Sequence, residues 1–82
     1  MFITWDEPKR ISNLAKHGLD FASLDEAFFL GSIIVPANGG RHMAIGRFGD
    51  GTIAVVFVYL GTEALAAISM RKADKNERKV LT

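Results

Sequence analysis

The sequence predicts an α+β fold, in which two N-terminal helices pack on one face of an antiparallel sheet and a short helix closes the chain. Helix caps and helical spacing of apolar residues occur mainly in the first third of the 82 residues. Three β-prone apolar runs separated by glycine-containing turns follow, and a charged segment with a helix-capping pattern comes last. A chain of this length is expected to form one small domain, residues 1–82, with the element order β-α-α-β-β-β-α.

The first strand and the first helix are marked by local composition and by caps. Residues 1–5 form a short apolar and β-branched run, which predicts a strand. Asp6 is a favourable N-cap, and Ile11, Leu14 and Ala15 recur at helical spacing after it. Gly18 suits the left-handed position that follows a helix. The pattern therefore predicts a helix over Asp6–His17.

A second helix is predicted from Asp20, which supplies another N-cap. One helical face then carries Phe21, Leu24, Ala27 and Phe28. The helix is expected to stop by Leu30-Gly31. Residues 31–40 contain a proline, an asparagine and two adjacent glycines, and they predict an irregular segment with one short strand at Ser32–Val35. The dense apolar run Phe28–Val35 is interpreted as core, with a docking or self-association patch as the alternative.

The second half of the chain predicts an antiparallel meander of three strands, which are Arg41–Phe48, Thr52–Leu60 and Ala64–Met70. Gly49-Asp50-Gly51 forms the first hairpin turn. Because Thr52–Leu60 is continuously apolar, we expect it to be the central strand and to be covered on both faces. Asp74 followed by Glu77 is a capping box, which predicts a final short helix.

Composition excludes several classes of protein. Hydrophobic residues make up 49% and charged residues 23% of the chain, which is typical of a globular protein rather than a disordered one. There is no cysteine, so the chain has neither a disulfide framework nor a thiolate metal site. The longest apolar run, Ile53–Leu60, is too short to cross a membrane as a helix. We therefore expect a cytoplasmic protein that does not bind membranes.

Positive charge is concentrated at the C-terminal end. Residues 71–82 carry five cations and two anions, a net charge of +3, whereas the whole chain carries +1. Cations at the end of a strand are suited to bind phosphate, and an anionic polymer is the natural ligand. The alternative is a solvated basic helix end that complements the helix dipole. Neighbouring residues of a strand point to opposite faces, so either Arg71 or Lys72 should project to the helix-free face, where Arg47 could join it. We expect the cations that close this strand to converge on one anion-sized hollow.

Other candidate chemistry is sparse. His17 and His42 are the only histidines, and without cysteines they make a poor metal set. His17 is interpreted either as a helix C-terminal residue that interacts with the dipole or as a general base. His42 is expected at the surface. The glycine-rich stretch 46–51 lies between two strands, so it predicts a hairpin and not a phosphate-binding loop.

Several sequence blocks, taken in order, resemble the BrnT family, the toxin half of bacterial type II toxin–antitoxin pairs. The blocks are Trp5-Asp6-Glu7-Pro8-Lys9, Asn13-Leu14-Ala15-Lys16-His17-Gly18 and Ile68-Ser69-Met70-Arg71-Lys72-Ala73. The resemblance implies a RelE-like fold and a metal-independent ribonuclease that arrests translation and needs no cofactor. It implies a BrnA-like antitoxin with a ribbon-helix-helix domain, through which alone the complex would contact operator DNA. A homodimer or a heterotetramer with the antitoxin is the expected assembly.

The same resemblance suggests roles for individual residues. Arg71 and Lys72 are assigned to phosphate binding and charge stabilisation, and His17 to proton transfer. Four further cations are assigned to RNA contacts, namely Lys16, Arg41, Arg47 and Arg78, with Arg41 serving either RNA or the antitoxin. The family's arginines near positions 61–67 are replaced here by Gly61-Thr62-Glu63 and by alanines. Because one lost transition-state cation costs about 2.7–4 kcal/mol, a weak or silent binding module that serves complex formation and operon autoregulation is the alternative. An RNA-binding domain without an antitoxin is a third interpretation.

Overall fold

The fold consists of one five-stranded sheet and three short α-helices. The computed structural model describes residues 1–81, so the predicted domain 1–82 includes one residue outside the described part. The strands are β1 (Phe2–Trp5), β2 (Ile33–Pro36), β3 (His42–Phe48), β4 (Gly51–Leu60) and β5 (Ala64–Lys72), and the helices are α1 (Glu7–His17), α2 (Glu26–Leu30) and α3 (Lys75–Lys79). Two 3₁₀ turns at Phe21–Ser23 and Asn38–Gly40 complete the order. The α+β class predicted from the sequence is confirmed.

The strand order β1-β5-β4-β3-β2 contains the predicted meander and extends it on both sides. β3, β4 and β5 pair antiparallel, with Ile45 opposite Ala54 and Ala54 opposite Arg71. β1 pairs parallel to β5, with Trp5 beside Ala67, so the prediction of an antiparallel sheet is wrong for this edge and the sheet is mixed. β2 forms the other edge, antiparallel to β3. The short strand predicted at Ser32–Val35 forms as β2, so the sheet has five strands where the predicted element order counted four.

One face of the sheet packs against the 3₁₀ turn Phe21–Ser23 and α2, and this contact forms the core. The buried cluster consists of Phe21, Leu24, Phe28, Phe29, Ala44, Ile53, Val55, Phe57, Leu65, Ala67 and Met70. By strand alternation the opposite face, called here the second face, carries Ile45, Arg47, Ala54, Val56, Val58, Ser69 and Arg71. β4 is central, as predicted, but its distal residues Tyr59 and Leu60 are about half exposed. Coverage on both faces is therefore limited to its first half.

The prediction of a single helix from Asp20 is wrong, because this segment forms two separate helical pieces. The Asp20 side chain accepts a hydrogen bond from the Ala22 N–H and caps the 3₁₀ turn Phe21–Ser23. Leu24 and Asp25 are extended, and the Asp25 side chain accepts from the Phe28 N–H to start α2. Side chains that bond to nearby backbone N–H groups start helices and interrupt those that would run through them. Phe21 and Phe28 are nevertheless buried, as predicted.

The apolar stripe of α1 faces solvent. α1 has the predicted ends, with Asp6 as N-cap and Gly18 in the left-handed conformation at its C-terminus. Ile11 is 57% exposed and Leu14 is 39% exposed, while the residue buried against the sheet is Asn13. Apolar spacing thus identified the helix correctly, but a polar side chain makes its main contact with β5.

The apolar run Phe28–Val35 is only partly core. Phe28 and Phe29 are buried, whereas Leu30, Ile33 and Ile34 remain exposed at the sheet edge formed by β2. The core interpretation therefore holds only for the part of the run that contains Phe28 and Phe29. Over residues 1–81, no helix combines the length and apolarity needed to cross a bilayer.

Candidate functional site

The two adjacent cations at the end of β5 point to opposite faces of the sheet. Lys72 pairs with Ile53, whose side chain lies in the core, and Arg71 pairs with Ala54 on the second face. Arg71 and Lys72 therefore do not converge on one hollow. Each of them belongs to a different group of side chains.

Arg71 is bound by a carboxylate from α3. Its Nη1 donates to Glu77 Oε1 at 2.7 Å and its Nη2 donates to Glu77 Oε2 at 2.8 Å. Glu77 Oε1 also accepts from the Asp74 N–H, while the Asp74 side chain accepts from the Glu77 N–H. The hydrogen bonds from Arg71 lower the pKa of Glu77, and the same bonds raise the pKa of Arg71. The capping box predicted from the sequence is present, and it compensates the Arg71 charge.

Lys72 lines a depression that is called here the hairpin cleft. This cleft has a volume of about 500 Å³ and lies between the β3–β4 turn and the start of α3. Its lining residues are Leu19, Phe48, Gly49, Asp50, Gly51, Thr52, Ile53, Lys72, Ala73 and Arg78. Arg78 donates from Nη1 to the Ala73 carbonyl at 2.9 Å. Two predicted site residues, Lys72 and Arg78, therefore meet over an apolar floor.

Lys16 and His17 line a second, shallower depression, called here the α1 groove. Its volume is about 240 Å³, and its lining residues are Lys9, Ser12, Asn13, Lys16, His17, Ile68 and Ser69. Ser69 shares the second face with Arg71 and lies about 6.6 Å from it along β5, two residues at about 3.3 Å each. His17 lines the groove and Leu19 lines the hairpin cleft, so the turn after α1 separates two neighbouring depressions.

The remaining predicted residues lie farther away. Arg47 is exposed on the second face but two strand spacings, about 10 Å, from the strand that carries Arg71. Arg41 precedes the opposite end of β3 and lines neither depression. His42, expected at the surface, is half-buried, packs on Phe57 and Tyr59, and has a buried Nδ1 without a hydrogen-bond partner in residues 1–81.

Asn13 lines the α1 groove and was not singled out as a site residue from the sequence. Its side-chain amide donates to the Met70 carbonyl at 2.9 Å and to the Leu19 carbonyl at 3.1 Å, and its oxygen accepts from the Met70 N–H at 3.1 Å. Because β1 pairs only as far as Ala67, Asn13 takes over the free edge of β5 just before Arg71. The position of Asn13 within the Asn-Leu-Ala-Lys-His-Gly block was the only indication in the sequence.

The histidine and carboxylate side chains do not form a metal site in the described part of the chain. Residues 1–81 contain no group of three or more histidine, cysteine, aspartate or glutamate side chains close enough to share an ion. The polar side chains that line the two depressions include three lysines, one arginine, one imidazole, hydroxyl groups and the carboxylate of Asp50.

Comparisons with known proteins give one family and one solved structure in detail. The family model "Ribonuclease toxin, BrnT, of type II toxin-antitoxin system" matches residues 5–77. The chain is similar to the crystal structure of the Brucella abortus ribonuclease toxin BrnT, with 55% sequence identity and a TM-score of 0.86. That match covers 92% of this chain and 99% of the Brucella chain. No curated protein matches.

Proposed function

The chain belongs to the BrnT family of ribonuclease toxins of type II toxin–antitoxin systems, and we propose that it cleaves RNA without a metal ion and thereby arrests translation in the cytoplasm. The observation that carries this proposal is the placement of two basic depressions side by side, the hairpin cleft and the α1 groove. Together they present Lys9, Lys16, Lys72 and Arg78 to phosphates.

The cleavage uses the RNA's own 2′-hydroxyl as nucleophile. A bond forms between the 2′-oxygen and phosphorus, the bond from phosphorus to the 5′-oxygen breaks, and the products carry a 2′,3′-cyclic phosphate and a 5′-hydroxyl. The proton of the 2′-hydroxyl passes to a base, and the 5′-oxygen takes a proton from solvent. Protein cations stabilise the charge that develops on the phosphoryl oxygens, and positioning supplies much of the remaining acceleration.

Roles follow from which depression each residue lines. We assign the scissile phosphate to the α1 groove, where the imidazole of His17 takes the 2′-proton and Lys16 neutralises charge. Arg71, on the same face as Ser69, reaches the phosphate once RNA competes with Glu77 for its guanidinium. Lys72 and Arg78 hold a neighbouring phosphate in the hairpin cleft. Arg47 and Arg41 contact RNA, or in the case of Arg41 the antitoxin, outside both depressions.

The expected partner is a BrnA-like antitoxin with a ribbon-helix-helix domain, which would carry the complex to operator DNA. Membership of a type II toxin family implies an antitoxin. The exposed side chains Leu30, Ile33 and Ile34, on and beside edge strand β2, support protein docking, because an uncovered apolar edge strand readily pairs with another chain. A homodimer or a heterotetramer with the antitoxin is compatible with this surface.

The proposal is tested with purified protein and a mixed RNA in EDTA. We expect cleavage by the wild type, a 2′,3′-cyclic phosphate at the new end, and at least a roughly tenfold lower rate for Arg71→Ala, Lys72→Ala and His17→Ala. Lys75→Ala is the matched control, because Lys75 is an exposed α3 cation outside both depressions. Intact RNA after incubation with wild-type protein contradicts the ribonuclease proposal.

A specific observation favours the second candidate function, a catalytically silent module for antitoxin binding and autoregulation. The bidentate contact of Arg71 with Glu77 occupies one of the few candidate catalytic cations. On this alternative the chain binds its antitoxin and the complex binds operator DNA, while RNA stays uncut at every protein concentration. The cleavage assay above distinguishes the two functions.

A further inference from the structure

The hairpin cleft has the composition of a nucleotide site and not only of a phosphate site. Its volume of about 500 Å³ lies within the range of about 300–1,000 Å³ for pockets that bury small ligands. Leu19, Phe48 and Ile53 supply an apolar floor, and Ile53 is only 3% exposed. Lys72 and Arg78 stand on the rim. A phosphate ion alone would leave the apolar floor unused.

Phe48 gives this floor an aromatic ring that packs against Phe28. The ring packs edge-on against Phe28, with centroids 6.3 Å apart and an interplanar angle of 83°. Phe48 remains half-buried and lines the cleft. Proteins recognise unpaired RNA bases by stacking them on aromatic rings and by hydrogen bonds to their Watson–Crick edges. The ring thus provides the first of these two requirements.

Asp50 provides the second requirement at the hairpin turn. It is exposed, lines the cleft and makes no ion pair within residues 1–81. A carboxylate only accepts hydrogen bonds, and it can accept two from a flat donor pair. Among the four bases, guanine alone presents two adjacent donors, N1–H and the N2 amino group. The other three bases place an acceptor next to each donor on that edge, which a carboxylate repels.

We propose that the hairpin cleft binds a guanine nucleotide of the RNA, with the base on Phe48, its N1–H and N2 amino group donating to Asp50, and its phosphate at Lys72 and Arg78. This inference rests on the proposed function, since it names the base next to the cut. It makes Asp50 the residue that determines sequence preference and separates that role from His17 in the α1 groove.

Binding of single nucleotides to the full chain tests the proposal directly. The probes are guanosine, adenosine, uridine and cytidine 3′-monophosphates, with inorganic phosphate as the ligand that lacks a base. We expect guanosine monophosphate to bind roughly ten- to a hundredfold more tightly than the other three, as one bidentate base contact provides. Equal affinity for all four nucleotides, or phosphate binding as tightly as guanosine monophosphate, overturns the proposal.

The decisive variant is Asp50→Asn, because a carboxamide offers one acceptor and one donor. It should remove the preference for guanine and leave the four nucleotides with similar affinities, because every base offers an adjacent donor and acceptor on its Watson–Crick edge, whereas loss of folding would abolish the binding of all four. Glu63→Gln is the matched control, since Glu63 is an exposed acid in the other hairpin turn. Lys72→Gln should weaken all four nucleotides alike. A guanine preference that survives in Asp50→Asn refutes the role of Asp50.

The outcome is separable from that of the ribonuclease proposal. RNA cleavage without any guanine preference in binding or in cut position removes this inference and leaves the enzyme. Tight guanosine monophosphate binding together with intact RNA keeps the site and removes the enzyme.

Discussion

Replacing Asn13 by alanine should destabilise the protein far more than its single side chain suggests. Asn13 is only 7% exposed, and its amide makes three hydrogen bonds to backbone groups, two of them to Met70. The substitution leaves the N–H and the carbonyl of the buried Met70 without partners. An orphaned buried polar group costs about 1–3 kcal/mol, so the two together cost about 2–6 kcal/mol.

That cost is large for a domain of this size. Total stabilities of small proteins are about 5–15 kcal/mol, and each kcal/mol shifts the midpoint of thermal unfolding by about 4–8 °C for a domain of 60–100 residues. We therefore expect Asn13→Ala to lower the midpoint by at least about 8 °C. Urea unfolding followed by circular dichroism measures the same loss as a lower midpoint concentration with an unchanged slope.

Asn76→Ala is the matched control, because Asn76 is an exposed asparagine of α3. Its effect should stay within about 0.5 kcal/mol, as for most surface substitutions. A loss below about 1 kcal/mol for Asn13→Ala would refute the reasoning. It would mean that water or another side chain satisfies Met70 and that α1 is not tied to β5 through this amide.

Three further predictions concern the core, the charge pair and the exposed edge. Gly46→Ala should destabilise the protein by about 1–3 kcal/mol, because a Cβ there would lie 2.9 Å from Phe28 Cε1 and 3.0 Å from Ser32 Cβ. Gly51→Ala is the control: its Cβ would have no contact closer than 4.0 Å, so it should change the thermal midpoint little. The pKa of Glu77 is lowered below its ordinary 4.5, so the wild type should have a higher unfolding free energy than Glu77→Gln above that pH. This difference should disappear as the pH falls through the lowered pKa. Urea titrations at several pH values measure it. Ile33→Lys on edge strand β2 should weaken antitoxin binding at least about tenfold in calorimetry without changing RNA cleavage.

Sequence patterns predicted the elements well where local chemistry decides the backbone. The caps at Asp6, Gly18 and Asp74 are local events, in which a side chain or a left-handed residue satisfies nearby backbone groups. The same rule explains the one broken helix, because Asp20 and Asp25 each start a separate piece. Two caps five residues apart favour two short turns over one helix. Both caps are visible in the sequence, but the apolar face that spans the two pieces favoured the prediction of one continuous helix.

Long-range partners were harder to predict because no local pattern encodes them. The parallel pairing of β1 with β5 joins residues more than sixty positions apart. The orientation of α1 was likewise hidden, since its apolar stripe at Ile11 and Leu14 suggested the wrong buried side. The contact of Asn13 with Met70 decides that orientation, and it depends on a strand edge that exists only in the folded sheet.

The site shows the same division between local and tertiary information. Strand alternation predicted that Arg71 and Lys72 would face opposite ways, and they do. It did not predict that Glu77 serves two purposes, as a helix-cap residue for Asp74 and as the partner of Arg71. Because one carboxylate oxygen accepts from both groups, we expect an anion that binds Arg71 to loosen the start of α3 as well. Lys72 has no ion-pair partner within residues 1–81, so we expect an anion to bind there without that cost.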